Sequence, residues 1–446
     1  SSFHPTNPRT HHRPWHSQPP RDAVMTTVII GSGVAALSVA VRLIRRSQKV
    51  HLLAATTSCP PRCSDGAGGL WMPFHAGGEE APAVVEKYLR WGQATYDELC
   101  RNARGEQNDD GHLPEACVVE MLEAHAFGDL SDGDDYWRSI VPDCAVVKNE
   151  GEHREYDKFV RFTAPVVDCP KVLAHYEQML EQSQYCTITR TSPFENFSDV
   201  VSFVDTHIGP AATAIVNCAG ANGAALSDGT DESKNFIARG VLHIYERDRK
   251  AETKVVLIDG GPLTGGPDYP AYAIPRGDVV IVGGSFVVDN ASRTISEAEA
   301  ARLTQNAELL LGEGWRERKK GEWVGFRPCR EAGVRCEVDA ALSARSNGRL
   351  VIHHYGHGGS GWTLVAGSSA DVVDMLTKQR PSADVVHDTA ARTFALGDSH
   401  LKYSIDAGRT TLDILHTHTA RSMRGQGVAG EITAVAFEYA RSNKMK

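Results

Sequence analysis

TTVIIGSGVAALSVAVRLIRRSQKVHLLAA, residues 26–55, reads as a strand, a glycine turn, a helix and a second strand. Val28 to Ile30 form a short β-branched run, and Leu37, Val41 and Ile44 recur at helical spacing behind the turn. Arg42, Arg45 and Arg46 crowd the end of the helix, where positive charge complements its dipole. Gly31, Gly33 and Ala36 fit G-x-G-x-x-G/A, with Val34 opening the helix. The first glycine allows the tight turn, the second lets a pyrophosphate approach the backbone, and the small third residue keeps helix and strand close. Alone the motif is weak; between a strand and a helix it points to a dinucleotide site rather than a merely structural turn. The second strand ends in Ala54-Ala55, with no acid for the ribose hydroxyls. That disfavours a standard NAD site and leaves FAD, held by other contacts, as the expected cofactor.

The chain has 446 residues, enough for two or three domains, with 41% hydrophobic and 23% charged residues as in an ordinary folded protein. The net charge of −9 and scattered arginines exclude the footprint of a nucleic-acid binder. No apolar run is long enough to span a bilayer, so no membrane partner is expected. The ten cysteines lack metal-type pairing and suit reduced, mostly buried thiols. Residues 1–24 are dense in Pro, His and Arg without apolar periodicity, which reads as a disordered leader ahead of a folded part starting near Met25.

Further along come SDGAGGLWMPF (64–74), FTAPVVDCPKVLAHYEQML (162–180), AIVNCAGANG (214–223), ARGVLHIYE (238–246), YPAYAIPRGDVVIVGGSF (269–286), VGFRPCREAGVRCE (324–337) and HHYGHGGSGWT (353–363). Read by themselves, 212–220 is a buried strand ending in a small-residue turn, 278–284 a strand closed by paired glycines, and Arg327 is held extended by the proline that follows it. Their order and content resemble the D-amino-acid oxidase family over about residues 25 to 380.

The resemblance implies an α/β fold: a Rossmann-like FAD-binding domain (25–74, 163–238 and 326–380) interleaved with an α+β substrate domain on a large mixed sheet (75–162 and 239–325). It implies FAD contacts at Gly31, Gly33, Val34, Ala36, Ser64, Ala67, Gly68, Gly69 and Leu70. The loop Gly358, Gly359, Ser360, Gly361, Trp362 and Thr363 would lie against the flavin. His353 and His357 stand four apart, but so much glycine opposes a helix there, and no metal site is expected.

The implied reaction is FAD-dependent oxidative deamination of a D-amino acid by hydride transfer to flavin N5, giving a 2-oxo acid, ammonia and, from dioxygen, hydrogen peroxide. Arg327 would clamp the substrate carboxylate, Tyr272 would hydrogen-bond it, and the Gly359 carbonyl would receive the amine. No general base is required. Neutral substrates are expected; D-aspartate is the alternative if Arg239 and His243 reach an acidic side chain, and a glycine or sarcosine oxidase is a second. Phe286 stands where fungal-type members carry a tyrosine, for which Tyr269 is a weak substitute. Ser360 replaces a bulky residue and Trp362 an aliphatic one. A homodimer fits the family, as does a peroxisomal or cytoplasmic location, although the chain ends in KMK rather than a peroxisomal tripeptide.

After Pro381 the character changes. Residues 393–446 read as three strands, a glycine loop and a helix, and Arg424, Gly425, Gly427 and Ala429 resemble the pyrophosphate loop of small GCN5-related acetyltransferases. The resemblance implies acetyl-CoA as a partner of a partial acetyltransferase-like segment (381–446). An acetyl-CoA-binding protein with a regulatory flavin part is the reading of another class.

Overall fold

The computed structural model describes residues 25–56, 62–106, 119–128, 136–151, 156–248, 254–259, 269–378, 385–406, 408, 410–420, 428–443 and 445. The expected leader (1–24) and the CoA-loop residues Arg424, Gly425 and Gly427 lie outside them.

The chain begins with β1 (Thr26–Ile30), α1 (Val34–Arg45), β2 (Lys49–Ala55), α2 (Pro82–Ala103), β3 (Val119–Gly128), β4 (Ala145–Lys148) and β5 (Lys158–Val167). It continues through α3 (Cys169–Gln182), β6 (Cys186–Thr191), α4 (Phe197–His207), β7 (Ala212–Asn217), β8 (Asn235–Glu246), β9 (Val255–Asp259), β10 (Ala271–Arg276), β11 (Val279–Gly283) and β12 (Val287–Val288). Next come α5 (Glu297–Leu311), β13 (Lys319–Arg330), β14 (Arg335–Val338), α6 (Ala340–Arg345), β15 (Leu350–Tyr355) and α7 (Gly361–Lys378). The last part holds β16 (Val386–Asp388), β17 (Thr393–Leu396), β18 (Ser399–Ile405), β19 (Leu412–His418) and α8 (Val428–Ser442).

The strand–turn–helix–strand reading of 26–55 matches β1, α1 and β2. These build a six-stranded sheet ordered β14-β15-β7-β1-β2-β6, parallel except for the β14 edge. Its central strands β1, β2 and β7 are covered on both faces and carry apolar stretches, Val28 to Ile30, Leu52 to Ala55 and Ala214 to Val216. Ile29, Leu52 and Val216 pack on the α1, α3 and α7 side, whereas Val28, Ile30, Leu53 and Ile215 meet Phe197, Val200 and Val204 of α4. Each fully buried aliphatic side chain contributes roughly 1.5–3 kcal/mol, so this two-sided core fixes where the β1–α1 turn points.

The second sheet is mixed and nine-stranded, ordered β12-β8-β11-β10-β9-β3-β5-β4 with β13 also paired to β8. Helix α5 covers one face through Ala307 and Leu310 against Ala273, Val280 and Val282. The other face looks toward the first sheet. The fold is thus the expected α/β architecture of two interleaved sheets. The boundaries expected at 238/239 and 325/326 fall inside β8 and β13, which pair with each other in the nine-stranded sheet. Helix α2, expected with the substrate part, docks on α7: Arg90 and Trp91 both donate to Asp371, at 2.6–2.8 Å.

The described residues from Val385 onward contribute to a core of their own. Phe394, Leu401, Tyr403, Ile432 and Ala436 pack with one another. An antiparallel sheet β16-β17-β18-β19 carries α8; it has one strand more than the sequence suggested, because Val386–Asp388 pairs with β17. Among the described residues no helix is long and apolar enough to cross a membrane. Cys169, Cys218 and Cys329 are buried free thiols.

Candidate active site

A cavity of about 480 Å³ lies between the sheets, within the range of small-molecule sites. Its wall at one point is the β1–α1 turn. Gly31 has φ +125°, and a side chain there would run into the carbonyl of Cys218. Gly33 precedes the first residue of α1. The Val34 amide donates to Ser64 Oγ at 3.1 Å. Ala36 is fully buried behind the turn and is not part of the cavity wall; it lets α1 approach β1.

A second piece of wall is the segment Ser64, Ala67, Gly68, Gly69 and Leu70. It is fixed from both sides. Arg276 donates to the carbonyl of Ala67, and the Ser64 carbonyl accepts from Trp362 Nε1 at 3.1 Å. The third piece is the glycine loop, with Gly358, Gly359, Gly361 and Trp362 on the cavity. Gly358 has φ +55° and abuts the backbone of His75. Ser360 and Thr363 do not line the cavity; they fasten the loop. Phe74 N donates to Ser360 Oγ at 2.8 Å, and Thr363 Oγ1 donates to the Met72 carbonyl at 2.8 Å. The small Ser360 is therefore a buried tie that lies off the cavity wall. His353 faces away, bonded to Asp339 and Asn217.

Tyr272 and Arg327 meet on the sheet floor. They come from β10 and β13, and the Tyr272 hydroxyl faces the guanidinium. Bare Gly240 leaves room for Arg327, and Gly283 and Gly284 for the Tyr272 ring. Burial pushes the Tyr272 phenol up, although Arg327 pulls it down, so it stays protonated as a hydrogen-bond donor. Arg327 Nη1 donates to the Ser285 carbonyl at 2.9 Å, and its head lies 5.6 Å from the ring centres of both Phe74 and Phe286. Phe286 thus packs against the guanidinium where a tyrosine was the family expectation. The rest of this floor is apolar, with Leu242, Leu257, Ile274 and Trp323.

The residues considered for an acidic substrate are committed elsewhere. Arg239 is buried and binds Glu299 and the carbonyls of Ser292 and Thr294. Burial opposes ionising Glu299, but the hydrogen bonds from Arg239 and Ser296 outweigh it and bring it down to about 2. His243 contacts the Tyr245 hydroxyl at 3.2 Å and Lys319 Nζ at 3.0 Å. Tyr269 stacks under Arg302, 3.9 Å from its ring centre, rather than lining the cavity.

Several wall residues escaped the sequence reading: Arg62, Cys63, Phe74, Trp323, His354 and His357. The turn Cys218 to Asn222, also on the wall, is the small-residue turn that the sequence reads as an approach to a cofactor. Arg62 and Trp323 had no such signal, being single large residues outside any spacing rule. His354 and His357 are buried against Ser368 Oγ, at 2.9 and 3.5 Å, and burial lowers both, His357 to about 4.

The donor set fits FAD. A side chain would block the glycine turn, the N-terminus of α1 faces the cavity with its first-turn amides, of which that of Val34 is held by Ser64, and no Asp or Glu is among the described residues lining the cavity. The family model described as FAD dependent oxidoreductase matches residues 26–375. The chain is 27% identical to a D-amino-acid oxidase of Rubrobacter xylanophilus over 351 residues, covering 78% of this chain and 94% of that one. It is 23% identical to the D-aspartate oxidase of Homo sapiens over 365 residues, 78% and 94% of the two chains. Among solved structures, glycine oxidase from Bacillus cereus aligns over 79% of this chain and 97% of its own, with a TM-score of 0.60 and 15% identity. These matches lend no support to the acetyltransferase resemblance, whose residues lie beyond the family model. The chain belongs to the DAO family of FAD-dependent oxidoreductases.

Proposed function

We propose that the chain oxidises neutral D-amino acids, releasing a 2-oxo acid, ammonia and hydrogen peroxide with dioxygen as electron acceptor. The observation that carries this reading is the pairing of Arg327 with Tyr272 on an otherwise apolar floor. A guanidinium offers a planar fork to a carboxylate, and the protonated phenol adds a donor at its side. A carboxylate held there leaves the substrate side chain against Leu242, Leu257 and Ile274, which favours an apolar group.

FAD, when bound, supplies the two-electron acceptance and the reaction with dioxygen. The chain supplies position: Arg327 and Tyr272 seat the carboxylate, the Gly359 carbonyl receives the amine, and the apolar wall keeps water from the reacting carbon. No carboxylate lines the described cavity, and its histidines are held neutral by burial or tied to Ser368. A general base is not assigned. The FAD-binding part comprises the six-stranded sheet with α1, α3, α4 and α7, and the substrate part the nine-stranded sheet. An acidic substrate is disfavoured because Arg239 and His243 are engaged away from the cavity.

The test is the visible spectrum of the purified protein without oxygen, on adding D-alanine, D-aspartate or L-alanine. Bleaching by D-alanine alone supports the reading. Bleaching by D-aspartate in preference, or by the L-enantiomer, replaces it.

A further inference from the structure

Two arginines are among the described residues lining the cavity, Arg327 beside Tyr272 and Arg62 beside the glycine turn. The role of Arg62 is not explained by the seating of an amino acid. Its Nη1 donates to the carbonyl of Ser32, inside the Gly31-Ser32-Gly33 turn, at 2.9 Å and to Glu177 Oε1 of α3 at 2.6 Å. Its Nε and Nη2 grip Asp65 at 2.9 and 2.8 Å. Four of the five guanidinium hydrogens are thereby used, and one on Nη2 is left for another acceptor. The head is thus locked by two carboxylates next to the backbone amides that suit a pyrophosphate.

A second observation concerns the other end of the nucleotide. The tip of β2, where a ribose-binding acid belongs in a dinucleotide fold, is Ala55. Its neighbours on the cavity are Thr191, Pro193 and Phe194, and no acid is among the described lining residues. Among the described residues no carboxylate lines the cavity at that strand end to recognise the sugar, while a fixed cation stands at the phosphate turn.

We propose that Arg62 is the cation that holds the pyrophosphate of the dinucleotide, so that charge at the phosphates takes the place of an acid on the adenosine ribose. Asp65 aims the guanidinium, and Glu177 competes with the phosphates for it. The proposal rests on FAD being the cofactor.

The test measures binding to the full chain after its flavin has been removed, using FAD, ADP and riboflavin. A charge-assisted hydrogen bond is worth about 1.5–3 kcal/mol, so Arg62→Gln is expected to weaken FAD and ADP by about tenfold to a hundredfold. Riboflavin, which has no phosphate, is expected to bind the variant within about twofold of the native chain. FAD binding by the native chain falls more steeply with salt than binding by Arg62→Gln. Glu177→Gln, which removes the competing acid, binds FAD at least as tightly as the native chain, and FAD built on 2′-deoxyadenosine binds like FAD. An equal loss for all three ligands in Arg62→Gln would reduce Arg62 to a strap holding 62–65 to α3, and unchanged FAD affinity would remove it from the site. Weaker FAD binding in Glu177→Gln also overturns the proposal, and serves if Arg62→Gln does not fold. Native protein without any flavin affinity overturns this and the cofactor assignment together, whereas flavin binding indifferent to Arg62 overturns only this.

Discussion

Arg327 lies over the bare backbone of Gly240 on the neighbouring strand; a Cβ at Gly240 would stand 2.6 Å from Nη1. The absent side chain is what lets the guanidinium reach the Tyr272 hydroxyl while still bonded to Ser285. Gly240→Ala is therefore expected to displace the fork without touching the cofactor turn. KM for the D-amino acid should rise by about tenfold, the equivalent of one weakened charged hydrogen bond, with the flavin spectrum intact. Arg327→Lys should cost more, about a hundredfold in kcat/KM, because a point charge does not reproduce the bidentate geometry. Steady-state kinetics on both variants check this; an unchanged KM in Gly240→Ala would mean that Arg327 does not seat the substrate.

Arg239 separates a structural arginine from a specificity arginine. It joins β8 to the start of α5 through Glu299, the same residue that closes the capping box with Ser296. Removing the guanidinium leaves Glu299 partly buried without its main partner, at a cost of about 2–4 kcal/mol. Arg239→Met should lower the melting temperature by several degrees, yet leave the ratio of D-alanine to D-aspartate turnover unchanged. A shift of that ratio toward D-alanine would restore Arg239 as a side-chain receptor.

These contrasts show what the sequence makes legible. The β1–α1–β2 unit is readable because glycine spacing, a β-branched run and helical periodicity agree over thirty consecutive residues. Tyr272 and Arg327 come from the resemblance, since no local rule brings residues on β10 and β13 together. Sequence order says nothing of which way a side chain turns, which is why Arg239 and His243 looked available and are engaged elsewhere. Ser360 and Thr363 belong to the loop that the resemblance lays against the flavin, but their hydroxyls close hydrogen bonds to residues 72–74, far away in the chain. Arg62 was invisible for the converse reason: its importance comes from Ser32, Asp65 and Glu177, brought together only by the fold.

The buried histidines predict acid sensitivity. Burial lowers His353 to about 4, with Arg335 adding to the effect; it lowers His357 to about 4, and His354 well below the usual imidazole value with a contribution from His357. In the unfolded chain such groups titrate near 6.5. Between about 4 and 6.5 the unfolded state therefore binds more protons than the native state, so stability rises with pH and is lost on acidification through this window. Thermal unfolding at pH 5.0 should occur roughly 5 °C or more below that at pH 7.5. His354→Asn, which removes one titrating group while keeping a polar partner for Ser368, should narrow the gap. Equal melting temperatures at the two pH values would show that these imidazoles are not held neutral.

The C-terminal unit offers a test of what the oxidase part needs. Its core cluster, built on Phe394, Leu401, Tyr403 and Ile432, contains no residue from before Val385. The described residues that wall the cavity, conversely, run no further than Trp362, and α7, which closes the first sheet, ends at Lys378. Among the described residues neither core borrows a side chain from the other, so cutting between them is expected to expose little apolar surface, and burial is what most of the stability rests on. A chain ending after Lys378 should retain its flavin spectrum, and its kcat/KM for D-alanine should stay within about twofold of the full chain, a difference worth less than about 0.5 kcal/mol. Loss of the flavin on truncation would show that the last unit supports the cofactor site. Retained flavin with altered kcat alone would instead make it a regulator of turnover, the one result that would revive the reading in which the two parts act on each other.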